Sequence, residues 1–260
     1  MIQPLAYVNP GAKIADTVVI EPFVTIHKNV EIGEGTWIGS NVTIMEGARI
    51  GKNCKIFPGA VISAIPQDLK FAGEETTTYI GDNTTVRECV TINRGTTAKG
   101  KTIVGENCLL MAYSHIAHDT ILGNHVIIGN GSQIAGEVII ADYAILSGLV
   151  AVHQFVNIGP HVMISGGSLV RKDVPPYTKA AREPLSYEGV NSIGLRRRGF
   201  SAEKIGEIQE IYRNLYLRGL NNAKAVIKIE TEMPATQERD EIISFIRTSD
   251  RGVMKGYISR

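Results

Sequence analysis

Aliphatic residues recur at every sixth position of this 260-residue chain. From Val104 the series runs through Leu110, Ile116, Leu122, Ile128, Ile134, Ile140, Leu146, Val152, Ile158 and Ile164 to Val170. The same phase holds earlier, from Val8, Ile14 and Ile20 through successive hexads to Ile62. It resumes at Ile80, Val86 and Ile92, with Ala98 its weak member. A period of six is neither the 3.6 of a helix nor the simple alternation of a strand, so it is read as a repeat before local propensity is consulted. One short strand and one turn per hexad, three hexads per coil, wind the chain round a triangular prism. The periodic side chains point inward, and residues eighteen apart stack on successive coils. Glycine follows the inward residue at Gly33, Gly39, Gly51, Gly81, Gly105, Gly123, Gly129 and Gly159. Either a tight corner or a close backbone approach favours a residue without Cβ there.

The predicted architecture is a parallel β-helix, and the many β-branched residues suit its short strands. Such a coil resembles the left-handed hexapeptide-repeat helix. The left hand comes from that resemblance, since ordinary crossovers favour the right. From Ser63 to Thr78 the pattern breaks. Asp68 and Glu74 fall on the inward phase, where unpaired carboxylates are costly to bury, so this stretch is expected to leave the wall as a loop while keeping register. A long loop in an economical repeat is a functional candidate. A smaller excursion is expected between Arg94 and Thr102. The repeat ends near Asp173, where Val174-Pro175-Pro176-Tyr177 changes the architecture. Beyond Ser186 the pattern reads as helical. Ser201 caps a helix carrying Ile205, Ile208, Ile211 and Leu215, a second helix covers much of Asn222 to Thr231, and Thr236 caps a last one using Ile242, Ile243, Phe245 and Ile246. The expectation is therefore a left-handed parallel β-helix of hexapeptide repeats over residues 1–185, followed by a small α-helical C-terminal region over residues 186–260.

Composition narrows the function classes. The formal net charge is +1, which argues against a dominant nucleic-acid surface. Cys54, Cys89 and Cys108 lack zinc or redox spacing and suggest reduced thiols in the wall. No basic leader followed by an apolar run opens the chain and no eighteen-residue apolar stretch follows, so a soluble, cytoplasmic protein without integral membrane association is expected.

The stacking rule then locates chemistry. In Ser114-His115-Ile116-Ala117-His118-Asp119, Ile116 points inward and His118 and Asp119 fall near a corner. Steps of eighteen put Gly136 and Gln154 over His118, Glu137 and Phe155 over Asp119, and His153 beside the same column. Neutral imidazole at His118 is suited to act as a general base, Asp119 to orient it, and the Gly136 N–H to stabilise an oxyanion where the missing Cβ lets substrate approach. Three nitrogens from His115, His118 and His153 make zinc the rival reading. A P-loop, a Rossmann fingerprint and a serine-nucleophile motif are all missing.

Gln67-Asp68-Leu69-Lys70, Arg94-Gly95-Thr96, His115-Ile116-Ala117-His118-Asp119, Ala151-Val152-His153-Gln154-Phe155, Asp173-Val174-Pro175-Pro176-Tyr177 and Arg197-Arg198-Gly199-Phe200 occur in that order. With the hexads and the helical tail, they make the chain closely resemble the bacterial acyl-carrier-protein: UDP-N-acetylglucosamine O-acyltransferase family, which opens lipid A biosynthesis. The resemblance covers essentially the whole chain. It implies a cytoplasmic homotrimer with sites between neighbouring prisms, acyl carrier protein with its phosphopantetheine as donor substrate, UDP-N-acetylglucosamine as acceptor, and no metal or other cofactor. The transferred group is then an R-3-hydroxyacyl chain and its destination the sugar 3-hydroxyl. On matching positions His118 resembles the base, Asp119 its helper and Gly136 the oxyanion donor. Asp68, Lys70, His115, His153, Gln154, Asn191, Arg197 and Arg198 resemble substrate-binding positions, and Gly166 a position tied to acyl length. Glu137 and Asn93 depart from the family pattern, each standing where members carry histidine. A related N-acyltransferase of the same pathway is disfavoured because it normally carries a nucleotide-recognition domain before its repeats, whereas this repeat starts at Val8. A noncatalytic trimeric binding scaffold is the reading from another class.

Overall fold

The computed structural model describes residues 1–256. Over these residues the chain winds into a left-handed parallel β-helix whose three flat walls are sheets of nine, eight and eleven strands, most of them two residues long. Register follows the hexads: Ile116 lies beside Ile134, Ile134 beside Val152, and Leu110 beside Ile128. Partners on successive coils are eighteen residues apart except across the two excursions and at the last coil, where Ile164 pairs with Ala180, sixteen apart. Ile50 pairs with Ile80 and Ile62 with Ile92, thirty apart, while Val104 pairs with Ile80 and Ile116 with Ile92, twenty-four apart. Both excursions therefore insert whole multiples of six, and the inward phase survives them.

The core is a column of these aliphatics, buried from Ile20 to Val170. A second buried set fills the angles, among them Val18, Val24, Val42, Val90, Val126, Val138, Val150, Val156 and Val162. Its members stand two residues before the periodic aliphatic, so these hexads send inward both the strand's second residue and the residue just before the strand. Ala98 is exposed within the second excursion and has no part in the core. Cys54, Cys89 and Cys108 are free, and burial pushes the Cys108 thiol up to about 11.

The glycines after the inward positions serve close approach. Those residues do not take positive φ; a Cβ on Gly105 would fall 2.4 Å from the Gly123 carbonyl oxygen, and one on Gly129 2.4 Å from the Gly148 nitrogen. The left-handed backbone of each turn falls two residues later instead, at Asn29, Asn41, Asn53, Asn107, Asp119, Glu137 and Phe155 among others. Asn and Asp tolerate that region best among residues with a Cβ, which accounts for the asparagines repeated there.

The helical tail differs at its start. Thr178–Ala181 still extends one wall, and Ser186–Val190 folds back antiparallel on it as a five-residue strand, where the sequence had suggested helix. Ser186-Tyr187-Glu188-Gly189-Val190 is too short and glycine-broken for a helix, and an exposed wall edge is at hand to pair with it. Four helices follow: α1, Ser192–Arg197; α2, Ala202–Tyr216; α3, Asn222–Glu232; and α4, Gln237–Arg247. Ser201 and Thr236 cap α2 and α4 by accepting from the Lys204 and Arg239 N–H groups. Ile205, Ile208, Ile211, Leu215, Ile229 and Ile242 form a second core with Tyr177 and Val190. The Tyr212 hydroxyl donates to the Pro176 carbonyl at 2.5 Å, and Ser249 donates to Asp173 at 2.6 Å, tying the tail to the last coil. Among the described residues no helix is long and apolar enough to cross a membrane.

Candidate active site

His118 is the first residue of a turn and Asp119 its left-handed second residue, with φ of 60°. This geometry swings the Asp119 carboxylate beneath the imidazole, and Oδ2 meets His118 Nδ1 at 2.9 Å. Asp119 is fully buried and His118 is 7% exposed. A buried carboxylate requires donors, and the second excursion supplies them. The Thr96 N–H reaches both oxygens at 3.0 and 3.1 Å, the Thr96 hydroxyl donates to Oδ2 at 2.6 Å, and the Lys99 N–H donates to Oδ1 at 3.2 Å. A carboxylate held in this way can only accept, so Nδ1 donates to it, and Nε2 presents its lone pair whenever the imidazole is neutral.

Two groups flank Nε2. One is Gly136 on the next coil: a Cβ there would fall 2.6 Å from both Cε1 and Nε2 of the ring. The Gly136 N–H, as these turns generally leave it, donates to no backbone carbonyl among the described residues. The other is Asp68, at the tip of the first excursion. Its Oδ1 accepts from the Lys70 N–H at 2.9 Å, which aims Oδ2 at His118 Nε2, 3.8 Å away. Asp68 and Glu74 both lie outside the core, half-buried in the loop.

The remaining expected residues distribute over the prism. His115 sits on the wall before this turn, its Nδ1 2.7 Å from the Thr91 hydroxyl, and burial first and the His118 charge second hold its imidazole below the usual range. His153 is exposed beside the same corner, its Nδ1 3.1 Å from the Gln154 carbonyl. The Lys70 side chain is exposed. Asn93 is buried and donates to the Ile65 carbonyl at 3.0 Å. Asn191 and Arg198 belong to a different corner. Asn191 caps α1 and donates to the His161 carbonyl at 2.9 Å; Arg198 donates to the Tyr143 carbonyl at 3.0 Å with its guanidinium 5.2 Å from the Tyr143 ring centre. Burial lowers the Arg198 guanidinium. Arg197 is exposed, and Gly166 lies exposed on the third corner, where a Cβ would stand 3.0 Å from the Gly148 carbonyl oxygen. One chain thus assembles His118, Asp119, Gly136 and Asp68, and places Asn191, Arg197, Arg198 and Gly166 at its other two corners.

The convergence that zinc would need is missing. Among the described residues no three His, Cys, Asp or Glu side chains are arranged to hold a metal ion. His115 and His118 turn Nδ1 toward Thr91 and Asp119 respectively, and His153 stands in the open.

Thr96, Thr102 and the Lys99 N–H were not foreseen as parts of the site. Thr102 accepts the Asp119 N–H at 2.8 Å and so completes the pocket round that residue. Their sequence signals were the second excursion itself and, for Thr96, the Arg94-Gly95-Thr96 segment of the family resemblance, neither of which assigned them a role.

The bacterial transferase hexapeptide (six repeats) model matches residues 101–136, the model for domain 2 of UDP-N-acetylglucosamine O-acyltransferase matches residues 173–254, and the GMPPB C-terminal domain model matches residues 2–104. The prism, with a histidine–aspartate pair facing a glycine backbone, defines an acyltransferase of the hexapeptide-repeat class. An acyl-acyl-carrier-protein–UDP-N-acetylglucosamine O-acyltransferase of Chlorobium phaeobacteroides is 55% identical over 252 residues, covering 96% of each chain, and one of Trichlorobacter lovleyi is 49% identical over 98% of this chain and 99% of its own. The crystal structure of a UDP-N-acetylglucosamine acyltransferase from Bacteroides fragilis superposes with a TM-score of 0.97 at 56% identity, over 98% of this chain and 100% of that one; that of Francisella novicida gives 0.95 at 43%, over 98% and 94%. The chain belongs to the acyl-carrier-protein: UDP-N-acetylglucosamine O-acyltransferase family.

Proposed function

We propose that this enzyme moves an R-3-hydroxyacyl chain from acyl carrier protein to the 3-hydroxyl of UDP-N-acetylglucosamine, with His118 as general base. The observation that carries the reading is the His118–Asp119 pair: Nδ1 is committed to a buried carboxylate, so Nε2 is held as a proton acceptor beside the Gly136 N–H. His118 Nε2 takes the proton of the sugar hydroxyl as its oxygen attacks the thioester carbonyl carbon. The negative charge that develops on the carbonyl oxygen is stabilised by the Gly136 N–H. Collapse breaks the carbon–sulfur bond, and the departing thiolate recovers the proton from the imidazolium. The ester forms directly, without an acyl-enzyme, and the step runs on positioning and proton transfer.

Asp68, Lys70, His115, His153 and Gln154 are assigned to substrate from the His118 corner, Asn191, Arg197 and Arg198 to the nucleotide side, and Gly166 to the acyl end. These groups lie on three corners of one prism, which supports a homotrimer in which each pocket draws on neighbouring protomers. The division of the chain at about residue 185 belongs to the same reading, with the tail presenting Asn191 and the arginines. So does a cytoplasmic location, the compartment of a carrier-protein donor.

The test is to incubate the purified protein with defined R-3-hydroxyacyl carrier proteins and UDP-N-acetylglucosamine and to identify the acylated atom by NMR. A single 3-O-ester is expected. Binding without transfer would favour a scaffold, and an amide from a 3-amino sugar nucleotide with no ester from the N-acetylglucosamine nucleotide would move the acceptor assignment.

A further inference from the structure

Asp119 and Asp68 reach the His118 ring from opposite sides, one under Nδ1 and one toward Nε2. They come from segments far apart in sequence, yet one stretch touches both. Its Thr96 hydroxyl and the Thr96 and Lys99 N–H groups hold the Asp119 carboxylate. The Thr96 oxygen is itself fixed, accepting from the Ala98 N–H at 3.2 Å, and the turn is closed by the Gly100 N–H donating to the Thr96 carbonyl at 2.7 Å. On its other side the stretch fastens the loop that carries Asp68. Asn93 Nδ2 donates to the Ile65 carbonyl at 3.0 Å and the Arg94 N–H to the Ala64 carbonyl at 2.9 Å, at the loop's start. The Thr97 N–H donates to Glu74 at 3.2 Å and Thr76 to the Gly95 carbonyl at 2.6 Å, at its end. The Arg94 guanidinium lies 5.4 Å from the Phe71 ring centre between them.

We propose that the Asn93–Lys99 segment is a two-sided positioning element that sets both carboxylates flanking His118, Asp119 through Thr96 and the Asp68 loop through Asn93. The inference rests on His118 being the base. Asn93 shows why folding alone does not account for the segment. Its amide is 98% buried, and its Oδ1 has no partner, an arrangement that costs stability and leaves the hold on Ile65 as what the side chain contributes. Gly95 is equally constrained: a Cβ there would fall 2.2 Å from the Lys101 nitrogen, so the segment lies as close to the wall as backbone permits.

The two sides have different kinetic signatures. Thr96 acts on the orientation of the base, so Thr96→Val is expected to lower kcat about tenfold while changing KM for UDP-N-acetylglucosamine by less than about twofold. Thr96→Ser keeps the hydroxyl and is expected to restore kcat to within about threefold of the parent. Asn93 acts on the loop, so Asn93→Ala is expected to raise KM for the sugar nucleotide about tenfold with a smaller effect on kcat. Each variant is measured beside His118→Ala, with folded protein quantified by circular dichroism and Tm. Parental kcat in Thr96→Val, or losses in both positions that track the folded fraction with KM unmoved, overturns the two-sided element. Parental turnover in His118→Ala overturns the base assignment instead. Should Thr96→Val fail to fold, the Asn93→Ala shift in KM and the Thr96→Ser rescue still decide.

Discussion

The imidazole of His118 is held at one nitrogen and bounded at the other. Asp119 fixes Nδ1, and four donor contacts fix Asp119 in turn, so the ring has no room to withdraw. Gly136 is the consequence: its missing side chain is the space in which the face of the ring beside Nε2 stands. Gly136→Ala introduces no backbone strain, because the residue does not take positive φ, and its effect is therefore steric and confined to the site. The expected outcome is a fall in kcat of at least about tenfold with Tm almost unchanged, since small displacements of reacting groups are expensive. A variant with parental kcat would show that the ring has freedom to move aside. The eighteen-residue rule was enough to place Gly136 against His118, because both sit at the same step of their hexads. It did not reach Thr96, which meets Asp119 at a separation of twenty-three across an excursion where stacking arithmetic has no hold.

Between coils, a side-chain column forms the link to the helical tail. His125, Tyr143, His161 and Tyr177 stack with ring centres 4.5, 4.9 and 5.6 Å apart and nearly parallel planes. Phe200 meets both His161 and Tyr177 edge-on, Arg198 lies over Tyr143, and the Tyr177 hydroxyl bonds to Glu241 of α4. Burial first, and the Arg198 charge second, push the His161 imidazole from 6.5 down to about 4, against a smaller opposing effect of Asp142. The fold therefore prefers neutral His161, while the unfolded chain takes up a proton below 6.5. The stability this residue contributes is present above pH 6.5 and is lost as pH falls from there toward 4. His161→Phe keeps the stack and removes the titration, and it also removes a buried Nδ1 without a partner. The drop in Tm between pH 7.5 and 5 is expected to be smaller in His161→Phe than in the parent; equal drops would contradict the account. The first three rings of the column were open to the same stacking rule, since they repeat every eighteen residues. Tyr177 was not, because the last coil is two residues short of the period. The strand Ser186–Val190 was hidden for a related reason: it forms only because the preceding strand, Thr178–Ala181, offers an edge that local sequence does not announce.

At the scale of the molecule, the prism is a stack in which each coil touches its two neighbours, so damage to the core stays local. Ile128 is fully buried between Leu110 and Leu146, and Ile128→Ala is expected to cost about 2–5 kcal/mol in urea unfolding while kcat per folded enzyme stays near the parent's. A cost below about 1 kcal/mol would mean the wall collapses to fill the gap. The hexads made this architecture legible almost entirely, because their phase is what packs the core, and two carboxylates on the inward phase were enough to mark the Asp68 loop. The proposed trimer was not legible in that sense, since nothing in the period distinguishes a solvent-facing corner from one that would meet a neighbour. What every scale shares is a stiff wall that holds the His118 imidazole at one nitrogen and sets the other beside Gly136. The most direct measurement is therefore kcat of His118→Ala in the 3-O-acyl transfer assay, with Tm recorded on the same sample. The account predicts a loss of at least about a hundredfold with the parental Tm retained. Turnover within a few-fold of the parent, in a protein that folds as well, would contradict it.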